Sequence, residues 1–251
     1  MKSAPRKTTK VQATPKTRMY KLNDPEMPDE FRAFLIKLLK FGHVENNGNP
    51  NYRKLLGRIA EAGFKFAPDA RKLLIESEIV RQEVQHGHIV AELIRGLGED
   101  PETNAPLKQY LFDIPLESWI DVAWFHGIGD RVGLYVGIEW MGSTYAPLAK
   151  VAPQLEKEEY FHANTGINYV KDIIKTPKGK REAQEGLEKW WPAVLDMFGR
   201  SDSQNSKVYV KWGIKARSNE ELRQKYIHDT VPILEAIGLK VPDHKANRRF
   251  L

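Results

Sequence analysis

The chain contains no cysteine. Disulfide frameworks, thiolate zinc sites, cysteine nucleophiles and cysteine-ligated clusters are thereby excluded, and any metal must be held by His, Asp and Glu. No run of 18 apolar residues occurs, so the sequence offers no transmembrane helix. Net positive charge is lacking outside the N-terminus. The 39 Lys and Arg against 33 Asp and Glu leave a net charge of +6, and Lys2, Arg6, Lys7, Lys10, Lys16 and Arg18 account for all of it. Residues 19–251 are formally neutral, which argues against a nucleic-acid face. Residues 1–18 lack the apolar segment of a secretory signal and read as a disordered basic tail. A cytoplasmic protein without a membrane partner is expected.

What is present is helical periodicity. Phe31, Phe34, Leu35, Leu38 and Leu39 recur at 3–4 spacing, predicting a helix from Glu30, capped by Asp29, to about Asn46. The breaker cluster Asn46-Asn47-Gly48-Asn49-Pro50 follows. Further helices are predicted over about 51–62, 68–96, 117–142, 145–175, 180–198 and 218–237, the last opened by the capping box Ser218-Asn219-Glu220-Glu221. Pro147 fits a first turn, whereas Pro192 is expected to kink its helix. Residues 199–206 read as a polar loop. Only Val208–Val210 looks extended, too short to build a sheet. At 251 residues, the pattern predicts one all-α domain over 19–251, with a bundle at 29–175 and added C-terminal helices at 180–240.

Two Glu-x-x-His pairs stand out, Glu83 with His86 and Glu159 with His162. On a helix, positions i and i+3 share a face about 5–6 Å apart, so each pair can serve one metal ion or bridge two. With 21 Glu and 7 His in 251 positions, fewer than one such pair is expected by chance. Both pairs fall mid-helix in apolar stretches, where an unpartnered carboxylate is costly and a cation explains it most cheaply. A di-metal carboxylate bundle of the ferritin-like kind needs an acid on each preceding helix as well. For the second pair that acid is Asp130, 29 residues before Glu159, with Glu139 as the competitor too near the turn. For the first pair it is Glu45 or Glu61, with Glu45 favoured. His126, one turn before Asp130, suits the orientation of a ligand. His88 and His43 are expected to face away from the metal, and His228 and His244 suggest no partner.

At these residues the sequence resembles the catalytic subunits of the phenylacetyl-CoA epoxidases, bacterial multicomponent di-iron monooxygenases. The likeness runs through Met27-Pro28-Asp29-Glu30-Phe31-Arg32, Gln82-Glu83-Val84-Gln85-His86-Gly87, and the stretch from Ser118-Trp119 past Asp130 to Glu158-Glu159-Tyr160-Phe161-His162. It continues in Trp190-Trp191-Pro192-Ala193, Met197-Phe198-Gly199, Asn219-Glu220-Glu221-Leu222-Arg223-Gln224 and Asp229-Thr230-Val231-Pro232. The last block carries no metal motif and so matches independently of the Glu-x-x-His pairs. Two positions depart from the pattern. Gln82 stands in place of an acid, and the first-helix glutamate falls at Asn46, with Glu45 one residue off.

The resemblance implies a ferritin-like four-helix bundle with additional C-terminal helices. It implies two iron ions (Fe2+/Fe3+) held by Glu83, His86, Asp130, Glu159, His162 and Glu45, with dioxygen as co-substrate and electrons from a separate reductase. One oxygen atom would enter the aromatic ring of an aryl-CoA thioester. Lys37, Arg71, Lys72, Lys215 and Arg217 are candidates for the CoA phosphates, and a structural paralogue is the expected partner in a hetero-oligomer. Two other readings stay open: a non-catalytic structural subunit with a degraded site, and another ferritin-like di-metal protein such as a ferroxidase or a manganese catalase.

Overall fold

A computed structural model describes residues 18–42, 50–101 and 110–249. Its helices are α1 (Asp29–Gly42), α2 (Pro50–Phe66), α3 (Ala70–Arg95), α4 (Trp119–Trp124), α5 (Arg131–Met141), α6 (Ala146–Ile173), α7 (Pro177–Asp196), α8 (Gln204–Lys211) and α9 (Asn219–Ala236). Helix covers well over half of the chain. Among the described residues no strand forms, only an isolated parallel bridge between Tyr20 and Tyr145. No described helix is long and apolar enough to cross a membrane. The architecture is all-α and ferritin-like, as expected. Of the predicted tail, residues 1–17 lie outside the described residues; Arg18 pairs with Asp24 at 3.1 Å.

Local chemistry sets the helix ends. Asp69 caps α3 by accepting from the Lys72 amide at 2.8 Å, and Ser118 caps α4 by accepting from the Asp121 amide. The Ser218–Glu221 capping box closes in both directions, at 3.2 and 2.7 Å. Three expectations need correction. Helix α7 starts at Pro177 rather than near 180: Thr176 Oγ1 accepts from the Gly179 amide, and Pro177 occupies the first turn, where no N–H is missed. Val208–Val210 is helical, inside α8, whose Ser203 cap sits within the expected loop. Helix α2 runs through Gly63 and continues to Phe66, because Gly63 packs against α3 instead of turning. Helix α7 runs through Pro192 to Asp196, as its expected span requires.

The largest departure lies in the predicted 117–142 helix, which is three pieces. Between α4 and α5 the segment Phe125–Asp130 is π-helical, one residue wider per turn. It crosses α6 backbone to backbone. A Cβ on Gly166 would meet the Gly127 nitrogen at 2.0 Å, so only glycine permits that approach.

The bundle is built from α3, α4–α5 and α6, with α1 and α2 packed on different halves of α3. Arg32 of α1 donates to the Leu97 carbonyl beyond the end of α3, while Gly63 of α2 meets Glu76 near its start. One core joins Phe31, Leu35 and Leu39 to Val90, Ile94, Tyr145 and Tyr209. The other joins Trp124, Trp190, Trp191 and Tyr226, fixing α7 and α9 onto the bundle. Buried indole N–H groups need acceptors: Trp124 donates to the Ala183 carbonyl and Trp190 to Asp121, each at 3.0 Å.

Candidate metal centre

Three elements converge on one point. Helix α3 supplies Glu83 and His86, the π-helical segment supplies Asp130, and α6 supplies Glu159 and His162. One ligand atom each from Glu83, Asp130, Glu159 and His162 lies within 4.8 Å of the others. His162 Nδ1 is 3.0 Å from Glu83, 3.7 Å from Glu159 and 3.9 Å from Asp130. His86 Nδ1 joins from the other side, 3.4 Å from Glu159 and 4.0 Å from Glu83. Glu83 and Glu159 therefore stand between the two imidazoles, and Asp130 belongs to the His162 side.

The outer nitrogens of both imidazoles are tied down, which fixes the rings and aims Nδ1 inward. His86 Nε2 bonds Glu158 at 2.7 Å, and His162 Nε2 donates to Gln82 at 2.8 Å. Gln82, the departure seen in the sequence, still supplies an acceptor, now an uncharged one. Gly133 leaves the room Glu159 occupies: a Cβ there would sit 2.6–2.8 Å from its three carboxylate atoms.

The electrostatics favour positive charge at the centre. Burial opposes a charged His86, yet the facing carboxylates of Glu159, Glu83 and Glu158 raise it to about 9. Burial likewise opposes a charged His162, and Glu159 and Glu83 lift it well above its ordinary value. Burial alone would raise Glu159, but the two imidazoles hold it below the usual carboxylate range. Asp130 is raised by burial, against the pull of His126 and with the help of the Glu83 and Glu159 charges. Glu159 Oε2 and His162 Nδ1 are buried and make no hydrogen bond of good geometry, although His162 Nδ1 lies 3.0 Å from Glu83. Buried polar atoms seldom stay unpaired, and two metal-donor atoms facing a common centre fit a cation. Carboxylate and imidazole donors suit a divalent first-row metal such as iron.

The other sequence candidates divide. Glu61 is exposed on α2, away from the centre, and Glu45 lies outside the described residues, as does His43. His88 is exposed, as its two-residue offset from His86 requires. Glu139 is not a competitor for Asp130. It is buried, accepts from the Ala216 and Arg217 amides at 2.8 Å and pairs with the Arg217 guanidinium, clamping the loop before α9. His126 is fully buried and bonds Asp130 at 2.6 Å. Its other nitrogen meets Glu76, also fully buried, at 3.1 Å. Glu76 was missed in the sequence. Its signal was there: a charged residue seven before Glu83, on the stripe Glu76, Ile79, Glu83, His86, Val90 that faces the core.

A cavity of about 610 Å³ opens from the centre. Glu83, His86, Asp130 and Glu159 line one part of it, with apolar walls from Ile59, Phe125, Val132 and Leu155. It extends to Arg200, Tyr209, Lys215 and Asn219 in the C-terminal region, and Lys37 of α1 also lines it. Of the proposed phosphate contacts, Lys37 and Lys215 thus reach the cavity. Arg217 is engaged by Glu139 behind its wall. Arg71 and Lys72 do not line it; Lys72 pairs with Asp69 and Asp172 elsewhere on the surface.

These features define a class: an all-α, ferritin-like protein whose carboxylate–histidine cluster opens on a largely apolar cavity. The chain belongs to the family described as phenylacetic acid catabolic proteins, whose pattern matches residues 79–249. It is 28% identical over 229 residues to one of the subunits of the 1,2-phenylacetyl-CoA epoxidase of Escherichia coli (strain K12), covering 86% of this chain and 71% of that protein. The family match contains the two Glu-x-x-His pairs and Asp130, and the C-terminal block that carried the resemblance.

Proposed function

We propose that the chain is the catalytic subunit of a di-iron monooxygenase acting on an aryl-CoA thioester, with ring epoxidation as the reaction. The observation that carries this reading is the convergence of Glu83, Asp130, Glu159 and His162 within 4.8 Å at the wall of the cavity. The degraded-site alternative rested on the first helix; five donors gathered from α3, the π-helical segment and α6 support the catalytic reading over it.

Glu83, His86, Asp130, Glu159, His162 and Glu45 would hold two iron ions, which supply the electrons that reach dioxygen. Glu83 and Glu159 lie between the imidazoles and Asp130 on the His162 side, and Glu45 would be the donor from the first helix. The chain's own contribution is geometry and exclusion of water. Glu158 and Gln82 aim the imidazoles, and Phe125, Val132 and Leu155 give the aromatic ring an apolar berth beside the carboxylates. Lys37 and Lys215 offer cations to the anionic CoA portion further along the cavity. The overall balance is aryl-CoA, dioxygen, two electrons and two protons to epoxide and water, with the electrons coming from a separate reductase. The relative is one subunit of an epoxidase, and a hetero-oligomer with a structural paralogue follows for this chain on the same reading.

The test is turnover of phenylacetyl-CoA by the iron-loaded protein with its partner subunits, a reductase and isotopically labelled dioxygen. One labelled atom in the ring product and one in water is expected. Thioester that returns unaltered while dioxygen is consumed would contradict the substrate assignment.

A further inference from the structure

Glu76 lies outside the stretch matched by the family pattern and touches none of the metal donors, yet it is wholly buried. It sits two helical turns before Glu83, on the same side of α3. Its carboxylate occupies space that Gly63 of α2 leaves open: a Cβ on Gly63 would fall 2.6 Å from Glu76 Oε2. That same oxygen faces His126 Nε2 at 3.1 Å, and His126 Nδ1 faces Asp130 Oδ2 at 2.6 Å. Both nitrogens of His126 are thus engaged by carboxyl groups, and neither is left for a metal.

We propose that Glu76 and His126 are positioning residues for the metal centre: Glu76 holds His126, and His126 holds the Asp130 carboxylate through Oδ2. The inference rests on the metal-binding reading above and deepens it. The bond to His126 fixes the Asp130 carboxylate beside His162, whose Nδ1 lies 3.9 Å from the same oxygen. The metal on that side then owes part of its affinity to a glutamate that never touches it. Outer partners of metal ligands are commonly worth about 10–100-fold in affinity. Glu76 matters beyond charge balance, because without it His126 loses the contact that sets its ring orientation.

The experiment is anaerobic titration of the full chain with Co(II) against a competing chelator. It reads two dissociation constants and the visible Co(II) bands, which report coordination number. Wild type is expected to bind two equivalents. Glu76→Gln and His126→Gln should each weaken one equivalent about 10–100-fold and leave the other nearly unchanged, with the bands altered for the weakened ion only. Gly63→Ala, which keeps every charge but crowds the Glu76 carboxylate, should weaken the same equivalent. Thermal melts of the metal-free variants separate this from loss of fold. A merely structural pair lowers the melting temperature and leaves both constants alone, and that result overturns the proposal. So does equal weakening of both equivalents. If the two polar variants do not fold, Gly63→Ala decides, and unchanged constants there overturn it. A wild type that binds no Co(II) refutes the metal-binding reading, and this inference with it. A wild type that binds two, with variants that bind alike, refutes this inference alone.

Discussion

Gly133→Ala sets the metal centre against the fold. Gly133 lies inside α5, where alanine is preferred over glycine by about 1 kcal/mol. On the backbone alone the substitution is stabilising. Its Cβ, however, would fall 2.6 Å from Glu159 Cδ and 2.7 and 2.8 Å from the two oxygens. Ordinary contact needs roughly 3.5 Å or more, so the carboxylate must withdraw by roughly 1 Å. Glu159 stands between His86 and His162, at 3.4 and 3.7 Å, and a shift of that size takes it away from both. Misplacement by about 1 Å at a reacting centre costs on the order of a hundredfold. Overpacking costs about 1–3 kcal/mol, against which the helix gain is set, so the melting temperature should move by only a few degrees. The assays are metal titration, oxygenase turnover and calorimetry on the same preparation. Both metal equivalents should weaken and turnover should fall by about two orders of magnitude with the fold intact. Gly57→Ala is the control, since nothing lies within 4 Å of its added Cβ; it should leave the metals alone. If Gly133→Ala binds both equivalents as wild type does, Glu159 is not the metal ligand proposed here.

Further predictions concern the first helix, the substrate end and the fold. Glu45→Ala should weaken one metal ion selectively, with oxygen consumption falling more than iron content. Glu61→Ala should match wild type in both, because Glu61 is exposed; iron analysis beside oxygen uptake checks the pair. Burial holds Lys215 down at about 8, so its positive charge is present at neutral pH and fades as pH rises through that value. CoA-thioester affinity should fall over the same range, and Lys215→Met should bind about 10–100-fold more weakly at neutral pH with a flat profile, measured by calorimetry. Burial alone would raise Asp121, but bonds from Lys189, Ser118 and Trp190 outweigh it and lower its pKa. A depressed carboxylate stabilises the fold above the ordinary value of 3.8 and loses that effect as pH falls through the folded value. Asp121→Asn should cost about 1–3 kcal/mol near neutral pH and less in acid, read by denaturant melts.

The parts of this site that follow from helical period were legible in the sequence. Glu83 with His86 and Glu159 with His162 recur at i and i+3, and Asp130 follows from its distance to Glu159 along two antiparallel helices. The cap at Ser218 was legible because the capping box has fixed offsets. The π-helical segment was not. Nothing in Phe125-His126-Gly127-Ile128-Gly129-Asp130 distinguishes a wide turn from an ordinary one until α6 closes on Gly127. Glu76 was overlooked because it belongs to no pair, although its place on the core stripe of α3 marks it. The role of Glu139 was equally hidden, since its partners at Ala216 and Arg217 lie more than 70 residues away. Position along the chain does not separate Arg71 and Lys72 from Lys37 and Lys215; only the third dimension does.

On the proposed reading Glu83, His86, Glu159 and His162 would together hold two metal ions. Anaerobic Fe(II) binding by wild type, His86→Ala, His162→Ala and His88→Ala tests it most directly. The account predicts two equivalents for wild type and His88→Ala, and loss of at least one for each of the other two, since no neighbouring group replaces a missing imidazole. Two tightly held equivalents in either His86→Ala or His162→Ala, or none in wild type, would contradict it.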